Sequence, residues 1–278
     1  IIEGDDLKLI VSADFETKET YSVRVEGTDP DGITFVKILA ITVLDLDENG
    51  LHNDTHQGLV LWLDANAIPD IEVGNPITTW SDLSGQGNHM AGKAGDPILA
   101  YGPDGKHVVN YDGNATTWTS HDFETELLQE GYTIFAVSRY TGGDNQRVIS
   151  TQSSRNWVFG HHNNAGGRWY AGGWINTGTS ANTFFSVYVG SHEPSSSFFG
   201  EVDPRAWFWV DGDLKANAST GSSDEWGAPK QIYFGGRENF NETSKCEVAE
   251  LLLFKGQLPE HQRLQLEGYL GQKWGITL

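Results

Sequence analysis

An all-β sandwich closed by one terminal helix is the fold this sequence predicts. Three observations predict it. Short apolar runs alternate with polar residues at a period of two, as half-buried strands do. Thirty-three glycines, with Asn, Asp and Ser between the runs, supply tight turns. A single stretch, 258–275, carries helical spacing instead. The chain has 278 residues, 38% hydrophobic and 12% aromatic, enough for the core of one large all-β domain or two smaller ones.

The elements follow in chain order. In YSVRVEG (21–27), Tyr21, Val23 and Val25 face one way and Ser22, Arg24 and Glu26 the other. TDPDG (28–32) has turn chemistry. FVKILAITVLD (35–45) is a long strand with Leu39, Ile41 and Val43 on one face. Two antiparallel strands thus follow the acidic loop DFETKETY (14–21). DENGLHNDTHQG (47–58) has no apolar periodicity and reads as a joint. The expected division is 1–48, a linker at 49–57, and a larger domain at 58–278.

In the larger part, GLVLWLD (58–64), HVVNYDG (107–113), YTIFAVSRY (132–140), RAWFWVDG (205–212), KQIYFGG (230–236) and EVAELLLF (247–254) read as strands. Asp211-Gly212 is a two-residue hairpin signal. In LPEHQRLQLEGYLGQKWG (258–275), Pro259 suits a first turn. Leu266, Tyr269, Leu270, Lys273 and Trp274 share one side of that helix.

The charge excludes several partners. Thirty-eight acidic residues against 18 basic ones give −20. Nucleic acid needs a basic surface, so it is excluded, as are anionic membrane surfaces. Calcium, or an exterior whose salt screens self-repulsion, fits the charge. Residues 1–48 hold 12 acids against 4 bases, and the rest 26 against 14, so acidity is concentrated at the start. The one cysteine, Cys246, cannot form an internal disulfide and sits in a strand pattern as a packed thiol. No run approaches the ~18 apolar residues of a membrane-inserted segment. The chain lacks an initial Met and a signal peptide, and it is expected to be a piece of a longer protein.

ADFETKETYSVRVEGTDPDG followed by ITVLDLDE resembles the last strands of a cadherin-like repeat, over less than half a repeat. The resemblance implies calcium ligands at Glu16, Asp45 and Asp47, with Asp29 at the position before the last strand. Asp47 stands where Asn is common in the family. Calcium takes 6–8 oxygen ligands, and neighbouring repeats of the parent chain would supply those missing here. The other reading of these acids is a solvated tail.

GLVLWLDAN, WSDLSGQGNHM (80–90), VVNYDG, FWVDGDL, IYFGG and EVAELLLFKGQLPEHQRLQLEGYLGQKWGITL resemble, in that order, laminin-G-like or concanavalin A-like jelly-roll domains of bacterial surface proteins. The resemblance implies a two-sheet jelly roll of roughly twelve to fourteen strands. It also implies a secreted or cell-surface setting and a common role in glycan binding or adhesion.

Asp64, Asp82 and Asn88 sit in turn positions, where short polar side chains bond their own backbone; a metal there is the rival reading. Acid/base catalysis on a sandwich strand needs acids at a period of two on one face. EVDPR (201–205) breaks off at Pro204 and Arg205. In EVAE (247–250) the spacing of three predicts that Glu247 and Glu250 face opposite ways. His161 and His162 are adjacent and so face opposite ways too. Trp207 and Trp209 of WFW face one way, which suggests core.

A sugar ring stacks its C–H face on an aromatic ring while planar polar groups take its hydroxyls. NWVFGHHNNAGGRWYAGGWINTG (156–178) carries that mixture: Trp157, His161, His162, Asn163, Asn164, Arg168, Trp169, Tyr170 and Trp174. Ordinary core is the competing reading. Trp169 and Tyr170 are adjacent, so one of them faces outward on a strand. The expected function is non-catalytic, calcium-assisted recognition of an extracellular glycan. The alternatives are a structural spacer or a polysaccharide-degrading enzyme.

Overall fold

The structure is a computed structural model. It describes residues 2–3, 6–7, 20–42, 57–69, 71–94, 97–114, 117–119, 122–123, 127, 130–152, 154–193, 205–219, 227–238 and 241–278. The chain divides into two compact units, Ile1–His56 and Gln57–Leu278.

In the first unit β1 (Ile2–Glu3) pairs with β2 (Asp6–Leu7). β3 (Thr20–Thr28) and β4 (Thr34–Thr42) form an antiparallel hairpin from Thr20↔Thr42 to Thr28↔Thr34. Tyr21, Val23 and Val25 are half-buried and their neighbours on β3 exposed, following the period of two. Asp29 closes the turn: its Oδ1 accepts the amides of Asp31 (3.0 Å) and Ile33 (2.8 Å). Thus one carboxylate oxygen of this expected calcium ligand serves its own turn. Glu16, Asp45 and Asp47 lie outside the described residues.

The second unit is a sandwich of two eight-stranded antiparallel sheets. Its strands are β5 (Leu59–Asp64), β6 (Thr79–Trp80), β7 (Met90–Ala94), β8 (Ile98–Tyr101), β9 (His107–Asp112) and β10 (Thr117–Thr119). β11 (Tyr132–Asn145), β12 (Ile149–Ser150), β13 (Trp157–His162), β14 (Ala165–Ala171) and β15 (Trp174–Ser180) follow. β16 (Ser186–Glu193), β17 (Arg205–Val210), β18 (Asp213–Ser219), β19 (Tyr233–Phe234) and β20 (Ser244–Lys255) precede helix α1 (Glu260–Trp274). The front sheet runs β15-β14-β13-β12-β19-β10-β7-β6. The back sheet runs β18-β17-β16-β11-β20-β9-β8, with β5 also pairing with β20.

Alternation builds the core. On β14, Ala165, Gly167, Trp169 and Ala171 point in, while Arg168 and Tyr170 point out. Trp169 meets Phe159 edge-on, with centroids 5.7 Å apart. Glycine is required opposite them: a Cβ on Gly190 would stand 2.7 Å from Phe159 Cε2. The β17–β18 turn is Asp211 (φ 50°) and Gly212 (φ 79°), the doubly positive pair that matches strand twist.

Glu247 and Glu250 share the outer face of the back sheet, correcting the expectation of opposite faces. Val137 pairs with Glu250 and Ser138 with Val248, so Ala249 is the extra residue of a β-bulge. Cys246, Val248, Leu251 and Leu253 point into the core on either side of it. Glu247 pairs with Arg139 (2.7 Å) and accepts from Asn110 (3.2 Å).

Glu250 anchors α1 to that outer face. Its Oε1 accepts from Trp62 Nε1 (2.9 Å) and Tyr269 Oη (3.2 Å). Its Oε2 accepts from Trp274 Nε1 (2.8 Å) and pairs with Lys273 Nζ (2.8 Å). Lys273 Nζ also donates to Asp64 Oδ2 (2.7 Å) and Tyr269 Oη (2.7 Å). Pro259 is the residue before the helix rather than within its first turn, and Gly275 ends it at φ 66°.

Asp82 is saturated by its own loop and β5. Oδ1 accepts the amides of Trp62 (2.9 Å) and Ser84 (2.9 Å), and Oδ2 accepts from Asn88 N and Ser84 Oγ (both 2.8 Å). Asn88 Nδ2 then donates to Val60 O (2.5 Å). The loop 80–90 is therefore a backbone clasp. No group of three or more metal-ligating side chains occurs among the described residues. No helix among them is long and apolar enough to cross a membrane.

Candidate functional site

The segment 156–178 forms the end of the front sheet, β13 to β15, with β15 at its edge. Asn163 and Asn164 make the β13–β14 turn, both with positive φ (49° and 58°) and both exposed. Trp157 and Trp169 are fully buried between the sheets and offer no surface to a ligand. The other candidates separate onto the two sides of the edge hairpin.

The outer side carries Trp174, Tyr170, Arg168 and His162. Trp174 is 45% exposed, the most exposed indole described here. Tyr170 stands against it at 5.2 Å and 79°, and the Arg168 guanidinium lies 5.3 Å from its ring centroid. Arg168 is held in place because its Nε donates to Thr177 O (2.8 Å). His162 lies 6.1 Å from the same indole, and neither of its ring nitrogens has a hydrogen-bond partner among the described residues. Burial, and next the Arg147 charge, push its pKa down, so it is neutral near pH 7.

A β-bulge at Ile175 creates the two sides. Trp169 pairs with Asn176 and Tyr170 with Trp174, leaving Ile175 between them. Asn176 therefore faces in with Trp169, and Trp174 faces out with Tyr170. Within β15, Gly178 has φ 68°, and a Cβ there would come within 2.8 Å of Arg168 Cγ on the facing strand.

The inner side opens into a cleft of about 260 Å³ between β14–β15 and β16–β18. Its polar wall is His161, Asn176, Ser186, Tyr188, Asp211 and Lys215. Tyr188 Oη and His161 Nε2 are 3.0 Å apart, and His161 Nδ1 has no partner among the described residues. Burial pushes the His161 pKa down to about 3, so this ring is neutral and serves as a hydrogen-bonding group. Burial also raises the Asp211 carboxyl, partly offset by the Val187 amide that it accepts at 2.8 Å. Asp211 is the one carboxylate among the described residues lining this cleft.

Two functional features escape a reading of the sequence alone. One is the bulge that sorts Asn176 from Trp174. The other is the wall that β16–β18 contribute to the cleft, which depends on sheet order. The adjacency of Trp169 and Tyr170 is the signal that one side chain must be outward, and that one is Tyr170.

No protein-family profile matches the chain, and no curated protein sequence matches it. Solved structures do match by fold. One is a receptor binding domain at TM-score 0.55 and 13% identity, covering 81% of this chain and 56% of the other. A second is the binding domain of botulinum neurotoxin DC in complex with SialylT, at TM-score 0.54 and 12% identity, covering 80% and 55%. A third is domain 4 of AbnA, a GH43 extracellular arabinanase from Geobacillus stearothermophilus, in complex with arabinotriose. It has TM-score 0.52 and 14% identity, covering 75% of this chain and 98% of that domain. These likenesses show a shared β-sandwich fold. The chain spans just over half the length of the first two.

Proposed function

We propose that the second unit is a non-catalytic carbohydrate-binding module, and that the outer side of the β14–β15 hairpin is its platform. The observation that carries the reading is the exposed Trp174, flanked by Tyr170, a fixed Arg168 guanidinium and the unpartnered imidazole of His162. An aromatic face beside planar polar groups is what a sugar ring needs. Two neighbours of the same fold support the reading by what they hold, SialylT and arabinotriose. The cleft across the edge strand offers further hydroxyl partners in Asn176, Ser186 and Lys215. Hydrolysis needs two carboxyl groups ~5–10 Å apart across the sugar, and the cleft supplies Asp211.

The setting we propose is extracellular, in a secreted or cell-surface protein, with calcium held by the acids around 14–48 together with neighbouring repeats of the same chain. A glycan array probed with and without calcium tests both parts. Binding to at least one saccharide is expected, strengthened by calcium. Binding to no saccharide in either condition contradicts the module, and calcium-independent binding contradicts the calcium part alone.

A further inference from the structure

Helix α1 covers only part of the outer face of the back sheet. Where its first turn meets β16 and β17 it leaves a cavity of about 320 Å³, lined by Thr133, Ser191, Trp207, Trp209, Glu260 and Arg263 among others. The volume lies within the range of small-molecule sites.

Trp207 and Trp209 do face one way, but onto this outer surface. Ala206 and Phe208 are the buried residues of β17, and both indoles are half-exposed. Trp209 is already occupied, with the Arg263 guanidinium 4.2 Å from its ring centroid. Trp207 has no ring or hydrogen-bond partner among the described residues. Ser191, its cross-strand neighbour, is 3% exposed and lines the cavity with a buried Oγ that has no partner among the described residues. A buried hydroxyl without a partner is costly, so it marks where a ligand atom or water belongs. Thr133 Oγ1 is already engaged, donating to Gly256 O (3.1 Å) and accepting from Leu258 N (3.0 Å).

The charges select the ligand. Arg263 is matched by Glu267 at 2.5 Å and Glu260 at 4.0 Å, so among the described residues the cavity holds no spare positive charge for an anion. A quaternary ammonium would use the Trp207 ring and Glu260 but leave Ser191 Oγ unpaired. A neutral saccharide uses both the free indole face and the hydroxyl, and Gln257 lines the same cavity. We infer that this cavity is a second saccharide site for one neutral sugar unit, on the sheet opposite the Trp174 platform.

The test uses the full chain with its ten tryptophans labelled at the indole nitrogen, the Trp207 signal being assigned by Trp207→Phe. Arabinotriose, cellotriose and xylotriose are titrated to millimolar concentrations, with sialyllactose and choline as charged probes. A neutral trisaccharide is expected to shift the Trp207 indole, equally so in Trp174→Ala, with the apparent Kd weakened at least about fivefold in Ser191→Ala. That substitution leaves the strand and its packing in place. The inference is overturned if no neutral trisaccharide moves the Trp207 signal, if only choline or sialyllactose moves it, or if Trp174→Ala abolishes the shift. A shift that survives in Trp174→Ala stands even if the platform itself binds nothing.

Discussion

Replacing Lys273 with Ala lowers stability by about 3–5 kcal/mol, the usual effect of removing one partner from a buried charge cluster. For a domain of this size that is a fall in Tm of about 6–20 °C. Lys273 is the cation between two buried carboxylates, Asp64 at 2.7 Å and Glu250 at 2.8 Å. Its loss leaves both without a counter-charge beneath the helix. The deficit depends on pH, and its sign follows from Glu250. Burial, and then Asp64, raise the Glu250 pKa, while Lys273 opposes them. Without Lys273 the folded-state pKa rises further above the unfolded one. The folded state then binds the proton more tightly, so stability falls as pH rises through the interval between them. The variant's deficit is largest at neutral pH and shrinks toward pH 4.5, the ordinary value for a glutamate side chain. Urea unfolding at both pH values measures it. A deficit that is the same at both would assign the loss to packing of the lysine stem.

Trp169→Ala destabilises by about 3–5 kcal/mol, because a fully buried indole leaves a cavity against Phe159 and Phe208. Tyr170→Ala, one residue away, changes stability by under about 1 kcal/mol because its ring lies on the outer face against Trp174. Thermal melts of the two variants separate a core role from a surface role within one segment. A large loss in Tyr170→Ala would contradict the placement of β14. Lost saccharide binding is informative in Tyr170→Ala and not in Trp169→Ala.

Much of this was legible where the signal is local. The Asp211-Gly212 turn, the long strand through 247–254, the terminal helix and the opposite facing of Trp169 and Tyr170 all follow from residue type or a period of two. The bulges did not show, because an inserted residue is defined only against its partner strand. Ala249 put Glu247 and Glu250 on one face, and Ile175 divided Asn176 from Trp174. Nor did spacing tell which side of a sheet is covered. Trp207 and Trp209 share a face as their period requires, yet that face is the outer one, beside the helix. Asp64 and Asp82 read locally as metal candidates, while their partners lie far along the chain. Lys273 is 209 residues from Asp64, and the Trp62 amide is 20 residues from Asp82. The anchoring role of Glu250 is invisible in the sequence for the same reason.

Isothermal titration of the tightest array saccharide into the intact chain, Trp174→Ala and Tyr170→Ala measures the claim most directly. Trp174 is exposed and Tyr170 half-buried on the outer side, so both variants keep the wild-type melting temperature within a few degrees. Saturable binding to the intact chain is expected, weakened about tenfold or more in Trp174→Ala, equivalent to about 1.4 kcal/mol. Tyr170→Ala weakens it less. Affinity unchanged in Trp174→Ala, or no heat of binding for any saccharide, would contradict it.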